Sequence, residues 1–436
     1  MISRQEFARR RAHLMQSMGP NSIAIIASSQ EQVRSRDVDY LFRQDSDFHY
    51  LSGFPEPNAI MALIPGREHG EFVMFCNEKD LEMETWHGRR YGTEGACATF
   101  EADDAFPIDD IDDILPGMME GRDRIFYELG KRPEFDRRVI DWVNKIRTQV
   151  KKGAQPPGEF VDLRHALHDM RLFKSSAEVK LMRQVTEIAA DAHCHAMKVC
   201  EPGMTELDIE AELHHQFARR GARFPAYPSI VASGDNACIL HYTENHSKLK
   251  NGDLLLIDAG AELHNYASDI TRTFPINGKF SRAQKRVYEI VLKAQLAAIE
   301  EVKPGNHWMQ PHNKAVEVLT VGMVELGLLK GELDKLIEAE AYKRFYMHKT
   351  GHWIGLDVHD VGDYQIDGEP RVLEPGMVMT VEPGMYIPAD SQGVDKSLLG
   401  IGVRIEDDVL VTPDGHEVLS SGVPKSVEEI EQLMSA

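Results

Sequence analysis

Two acidic residues stand where a buried sheet should have none: Asp258 directly after Leu254-Leu-Leu-Ile, and Glu382 directly after Val378-Met-Thr-Val. Taking an ionised carboxylate out of water without a partner costs several kcal/mol or drives its protonation, so both positions call for a compensating cation. Three more residues have settings of the same kind. They are Asp269 in Ser268-Asp-Ile-Thr-Arg-Thr-Phe, His352 in Thr350-Gly-His-Trp-Ile-Gly, and Glu406 in Arg404-Ile-Glu-Asp-Asp. Four carboxylates, two divalent cations and a bridging hydroxide sum to a charge near −1, which a fold can bury. An oxygen-rich set with one imidazole suits harder or borderline ions better than a lone Zn²⁺ site rich in His or Cys. Manganese is therefore favoured, with cobalt, zinc and iron as alternatives. Asp407 and Asp408 adjoin Glu406 but read as a solvated charge run or as contacts to the ligands, and are not counted among them.

A chain of 436 residues exceeds the size at which one core stops growing, so two domains are expected. Hydrophobic residues make up 42% and charged residues 27%, and no apolar run approaches the roughly 18 residues that span a bilayer. Neither a membrane span nor a signal peptide is predicted, since Met1-Ile-Ser-Arg-Gln-Glu-Phe interleaves charges where an apolar stretch would be needed. A cytoplasmic location is expected. The cysteines at 76, 97, 194, 200 and 238 form no C-x-x-C pair and read as reduced, mostly buried thiols. A net charge of −21 repels a phosphate backbone and argues against a nucleic-acid partner.

Residues 1–171 mix short strands such as Ser22-Ile-Ala-Ile-Ile-Ala with helical and turn-rich stretches, as an α/β domain would. Lys151–Gly158, rich in breakers, reads as a loop near its end. From 172 to 436 the signals are sharper. Ser175 with Glu178 and Thr205 with Asp208 open two helices separated by Glu201-Pro-Gly203. Ser281 with Gln284 opens a third, and a further helical stretch follows Lys303-Pro-Gly305. Each pair leads through a histidine segment into a strand ending in an acid: His241 before Asp258, His352 before Glu382. Two related halves feeding one centre are predicted. Asp258 and Asp269 are eleven residues apart, so a fold-back through Gly260, Glu262, His264 and Asn265 is needed to bring them to one face, and Glu382 and Glu406 call for another. His348 and His352 have the four-residue spacing of one helix face.

The runs Cys238-Ile-Leu-His-Tyr-Thr-Glu-Asn, Leu255-Ile-Asp-Ala-Gly, Gly351-His-Trp-Ile-Gly-Leu-Asp-Val-His-Asp, Val381-Glu-Pro-Gly and Gly402-Val-Arg-Ile-Glu-Asp-Asp resemble those of bacterial Xaa-Pro aminopeptidases (aminopeptidase P). In the first domain Leu51-Ser-Gly-Phe and Thr85-Trp-His-Gly-Arg-Arg are also similar, so the likeness covers nearly the whole chain. It implies a creatinase-like α/β N-terminal domain and a C-terminal pita-bread catalytic domain, a duplicated α+β fold shared with prolidase, methionine aminopeptidase and creatinase. It further implies two Mn²⁺ ions, a homotetramer or homodimer, and peptides with proline in the second position as substrates.

Carried over by position, the resemblance makes Asp258, Asp269, His352, Glu382 and Glu406 the metal ligands. The implied mechanism is attack by a hydroxide bridging the ions, whose pKa falls to roughly 7, with Glu382 shuttling the proton to the proline nitrogen. His241 and His359 are expected to contact the oxyanion or the proline carbonyl, and His348 to assist and to shape the proline pocket. Tyr386 and Arg404 are expected at the substrate, Arg404 also steadying the carboxylates. Trp86 resembles a family residue that reaches a neighbouring subunit. Lys349-Thr350 departs from the smaller or apolar residues usual there, which bears on the pocket. A prolidase restricted to dipeptides and a non-catalytic pita-bread binding module are the alternatives; retention of all five ligand positions, four of them acids that a scaffold has no need to bury, argues against the second.

Overall fold

The computed structural model describes residues 2–435, and the chain divides into two compact units, Met1–Met170 and Arg171–Ala436. Among the described residues no helix is long and apolar enough to cross a membrane. The cysteines are unpaired; Cys76 and Cys200 are buried, the other three only partly.

The first unit is built on a six-stranded mixed sheet. From edge to edge its strands are Asp104–Pro107, Phe72–Cys76, Ile60–Leu63, Ser22–Ala27, Arg124–Tyr127 and Glu159–Asp162. The inner strands read as continuous apolar runs because both of their faces are covered. The helix Pro133–Arg147 starts with proline at its first turn, where no N–H is needed, and buries Val139, Trp142, Val143 and Ile146, the spacing of one helical face. These pack on Ile23, Val73 and Ile125 of the sheet.

In the second unit the same succession occurs twice. Helices Ser176–Val199 and Glu206–Arg219, each with a reciprocal capping box, precede the antiparallel strands Ile230–Ser233, Leu254–Asp258 and Thr271–Pro275. Helices Arg282–Ile299 and Met309–Glu325 precede Val378–Val381, Asp407–Thr412 and Gly415–Val418, with Gly384–Ile387 and Ile401–Arg404 paired between them. Only the first helix of the second pair has a capping box.

Both fold-backs are present. Asp258 lies opposite Thr271, and the chain between them forms a small hairpin of Ala261–Leu263 and Tyr266–Ala267 that turns at His264-Asn265, with φ of 51° and 68°. Two successive positive φ values are what a two-residue hairpin turn needs. Gly260 has a different task from the turn role expected of it: a Cβ there would lie 1.7 Å from the Ser268 carbonyl oxygen. In the second half Val381 pairs with Asp407 and Gly384 with Arg404, so Glu382 and Glu406 both sit where two neighbouring strands break and change partners.

The His348–His352 segment is not helical. It runs beside the Val378–Val381 strand: Thr380 N–H donates to the His352 carbonyl (2.9 Å), Glu382 N–H to the Thr350 carbonyl (2.8 Å), and Trp353 bridges to Met379. Gly351 permits this approach, since a Cβ there would sit 2.0 Å from the Thr380 carbonyl oxygen. The four-residue spacing of the histidines thus reflects an irregular extended segment held against a strand.

Candidate metal and peptide site

The strand ends converge on a cavity of about 410 Å³ lined by Asp258, Asp269, His352, Glu382 and Glu406 together with His241, His348, His359, Tyr227 and Arg404. Ligand-capable atoms of Asp269, His352 and Glu406 all lie within 4.8 Å of one another. The imidazole Nε2 of His352 is 3.4 Å from Asp269 and 3.8 Å from Glu382. Its Nδ1 lies 3.0 Å from the Trp353 carbonyl. A carbonyl only accepts, so Nδ1 carries a proton and Nε2 is the nitrogen turned toward the acids.

The electrostatics show what this cluster lacks. Burial, then the neighbouring acids, raise Asp269 and raise Glu406 well above the ordinary carboxylate range. Glu382 is carried up to about 7 by burial and by Asp269 and Asp258, against the pull of His352 and Arg404. Burial alone would lower His352, but its bond to Asp269 and the charges of Glu382 and Asp269 carry it to about 9. These acids resist ionising together, and His352 is drawn to a proton as the nearest substitute cation. Two divalent ions would remove both tensions, so the residues present fit a dinuclear centre.

Hydrogen bonds fix the acids from behind. Arg404 donates from Nη2 to Asp258 (2.6 Å), from Nη1 to the Tyr386 hydroxyl (3.0 Å) and from Nε to Thr271 (3.3 Å). The Thr271 hydroxyl donates in turn to Glu406 (2.6 Å), so Arg404 steadies that carboxylate only indirectly. Tyr227, for which the sequence offered no signal, places its hydroxyl between Asp258 (2.6 Å) and Asp269. Arg272 is fully buried and donates to the backbone carbonyls of Thr271 and Glu406, locking the two halves' strands together.

Asp407 and Asp408 are no solvated charge run: both are 0% exposed. Burial would raise Asp407, yet Arg272 and Lys425 hold it at about 2. Asp408 accepts the Asp269 backbone N–H at 3.1 Å.

The accessory residues divide into two kinds. His348 has both nitrogens engaged, Nδ1 with the Lys349 carbonyl (2.7 Å) and Nε2 with the Tyr386 hydroxyl (2.8 Å). Burial and Arg404 lower it to about 4, so the neutral ring offers the cavity a wall and no free donor. Tyr386 is 0% exposed and lies behind His348 and Arg404, off the cavity wall, so it can act on a substrate only through them. His241 and His359, by contrast, are exposed to the cavity. His359 stacks edge-on against His352 with ring centroids 4.4 Å apart. Its loop is clamped by Asp360, which pairs with Lys174 (2.9 Å) and Arg171 (2.5 Å). Of the unusual pair, Lys349 is exposed at the cavity, whereas Thr350 is buried and bonds His312 (2.8 Å) and Tyr346 (2.6 Å). Trp86 lies on the Leu81–His87 helix of the first unit and is 77% exposed.

Residues 180–413 match the model of metallopeptidase family M24, and residues 7–127 that of the aminopeptidase P N-terminal domain. The chain belongs to metallopeptidase family M24, as a bacterial aminopeptidase P. It is 45% identical to the Xaa-Pro aminopeptidase of Escherichia coli, covering 100% of this chain and 98% of that one. The structure of a Pseudomonas aeruginosa aminopeptidase matches with a TM-score of 0.99 and 60% identity, over 100% of this chain and 98% of the other. Zinc-substituted E. coli aminopeptidase P in complex with product matches at 0.97 and 45%, with the same coverage. The expected fold, an α/β N-terminal domain followed by an M24 catalytic domain, is therefore the one observed, and the chain is a metal-dependent aminopeptidase.

Proposed function

We propose that this M24 enzyme removes one N-terminal residue from peptides in which proline follows, using two divalent cations held by Asp258, Asp269, His352, Glu382 and Glu406. The observation that carries the reading is the convergence of those five side chains and three further histidines on one cavity. Manganese is the proposed ion, because the donor set is mostly carboxylate oxygen with one imidazole. Bound there, the ions supply an acidified water and a Lewis-acid pull on the scissile carbonyl.

The chain's own residues do the rest. The acid cluster receives the substrate's free amine, which confines cleavage to the first residue. Glu382 takes a proton and returns it to the departing proline nitrogen, a service worth about 10² to 10⁴ in rate. His359, lowered by burial and by the charge of His352, stays neutral and presents an N–H to the developing oxyanion or the proline carbonyl; the His241 ring faces the same cavity and contacts the same group. The fixed ring of His348 forms a wall against which proline packs. A homotetramer or homodimer working in the cytoplasm accords with the family resemblance.

The decisive experiment is digestion of Arg-Pro-Pro, followed by mass spectrometry. Free arginine and Pro-Pro should appear, an N-acetylated peptide should remain intact, and alanine in place of the second residue should slow cleavage severely. Chelation should stop the reaction and Mn²⁺ restore it. Cleavage confined to Xaa-Pro dipeptides would identify a prolidase instead, and full activity in metal-free protein would refute the centre.

A further inference from the structure

His241 is the one cavity histidine whose orientation its own ring does not secure: among the described residues it makes no hydrogen bond, ion pair or ring contact. His348, His352 and His359 are each held by such a contact. The place of His241 must therefore come from its loop, which runs from the end of Ile230–Ser233 through the short 3₁₀ turn Gly234–Cys238 to Ser247.

Behind that loop lies Glu206, the first residue of the Glu206–Arg219 helix and 0% exposed. Its carboxylate accepts five hydrogen bonds. Oε1 receives Ser233 N–H (2.8 Å), the Ser233 hydroxyl (2.7 Å) and Asn236 Nδ2 (2.9 Å). Oε2 receives the Tyr242 hydroxyl and Ser247 N–H, both at 2.8 Å. The donors come from the start, the middle and the end of the loop, and Tyr242 is the immediate neighbour of His241. Alternation does the rest, for Tyr242 is buried toward Glu206 while His241 and Thr243 face the cavity. Among the described residues no cation contacts this carboxylate, so its burial is sustained by donors from the loop and by the helix N-terminus on which it sits. A surface role would not need five bonds, and a purely apolar packing role would not use an acid.

We propose that Glu206 is a positioning residue for the aminopeptidase reaction, setting the place of His241 at the substrate through the loop it gathers. This rests on the reading of His241 as a substrate contact. In the Glu206→Gln variant, an amide that donates faces groups that also donate, and the loop must shift. A displacement near 1 Å in a substrate-contacting group costs about 10- to 100-fold in rate.

The test is a double-mutant cycle on kcat/KM for Arg-Pro-Pro, with metal content and melting temperature followed in every variant. Glu206→Gln should lower kcat/KM about 10- to 100-fold at unchanged metal content. Tyr242→Phe, which removes one of the five donors and preserves the ring's packing, should lower it by a smaller factor. In a His241→Ala background both should lose their effect, because the group they position is gone. If Glu206→Gln does not fold, Tyr242→Phe alone completes the cycle. Equal losses with and without His241 would overturn the proposal while leaving the prolyl-peptidase reading intact. Wild-type activity in Tyr242→Phe would overturn it too. Wild-type activity in His241→Ala would overturn both the proposal and the assignment of His241 as a substrate contact.

Discussion

At the scale of single residues, the centre is a balance between acids that crowd one another and the few groups that quiet them. Asp269 shows this most directly, since it meets His352 on one side and Tyr227 on another and takes the Asp408 carboxylate on its own backbone N–H. Asp269→Asn keeps the shape and removes a charge. Metal content, measured by elemental analysis, should drop, and activity should fall by more than about 100-fold, the upper end of what losing a ligand's hydrogen-bond partner costs. His359→Ala should behave differently, losing about 10²-fold in kcat/KM with metal content unchanged, because the ring touches the His352 ring and no acid. Metal loss in that variant would assign His359 to the centre itself. Of the five proposed ligands, Asp258 and Glu382 stand out in the sequence because an acid closing a strand-like, mostly apolar run has few other uses; Asp269, His352 and Glu406 stand out only as members of the set. Tyr227, Thr271 and Glu206 could not, since a lone Tyr, Thr or helix-start Glu looks the same whether it faces solvent or a buried carboxylate.

At the scale of elements, helix starts were the most legible feature, for a side chain and a backbone three residues apart settle a cap locally: Ser175 with Glu178, Thr205 with Asp208, Ser281 with Gln284. The four-residue spacing of His348 and His352 says nothing of the segment's shape, because that depends on the distant strand Val378–Val381, which no local spacing reports. The loop after it is likewise set from afar. Burial would raise the Asp360 carboxyl, but Lys174 and Arg171 hold it below its ordinary value. Removing its charge takes the carboxylate from the buried Lys174 ammonium, while Arg171 keeps Asp357 (2.8 Å), so Asp360→Asn should cost about 3 kcal/mol, read as a lower urea midpoint, and should weaken catalysis through His359. The pH dependence has a definite sign. A carboxyl depressed on folding contributes its full stability above its unfolded value of 3.8 and loses it as pH falls toward the folded value, so the difference between wild type and Asp360→Asn should shrink below about pH 4.

At the scale of the molecule, the histidines that burial lowers furthest, His193 and His312 together with His348 at the cavity, should set the acid limb of stability. All three are lowered from 6.5 to about 4, chiefly by burial. Between those values the unfolded chain takes up protons that the folded chain refuses, so stability should fall as pH drops from about 6.5 to 4. The crowded acids of the centre act in the opposite sense when metal-free, so the melting temperature is best followed on metal-loaded protein. A flat profile across that window would mean that these rings are charged in the fold. The two halves of the second unit carry a different consequence, one of timing. Asp258 and Asp269 belong to the first half, while His352, Glu382 and Glu406 belong to the second, and Thr271 bridges to Glu406. During synthesis the first two acids leave the ribosome long before the last, and until Glu406 emerges there is no strand for Thr271 and Arg272 to grip. On the proposed ligand set a nascent chain would therefore be unable to complete its centre early and cleave while unfinished; activity would begin only when the final strands have been made.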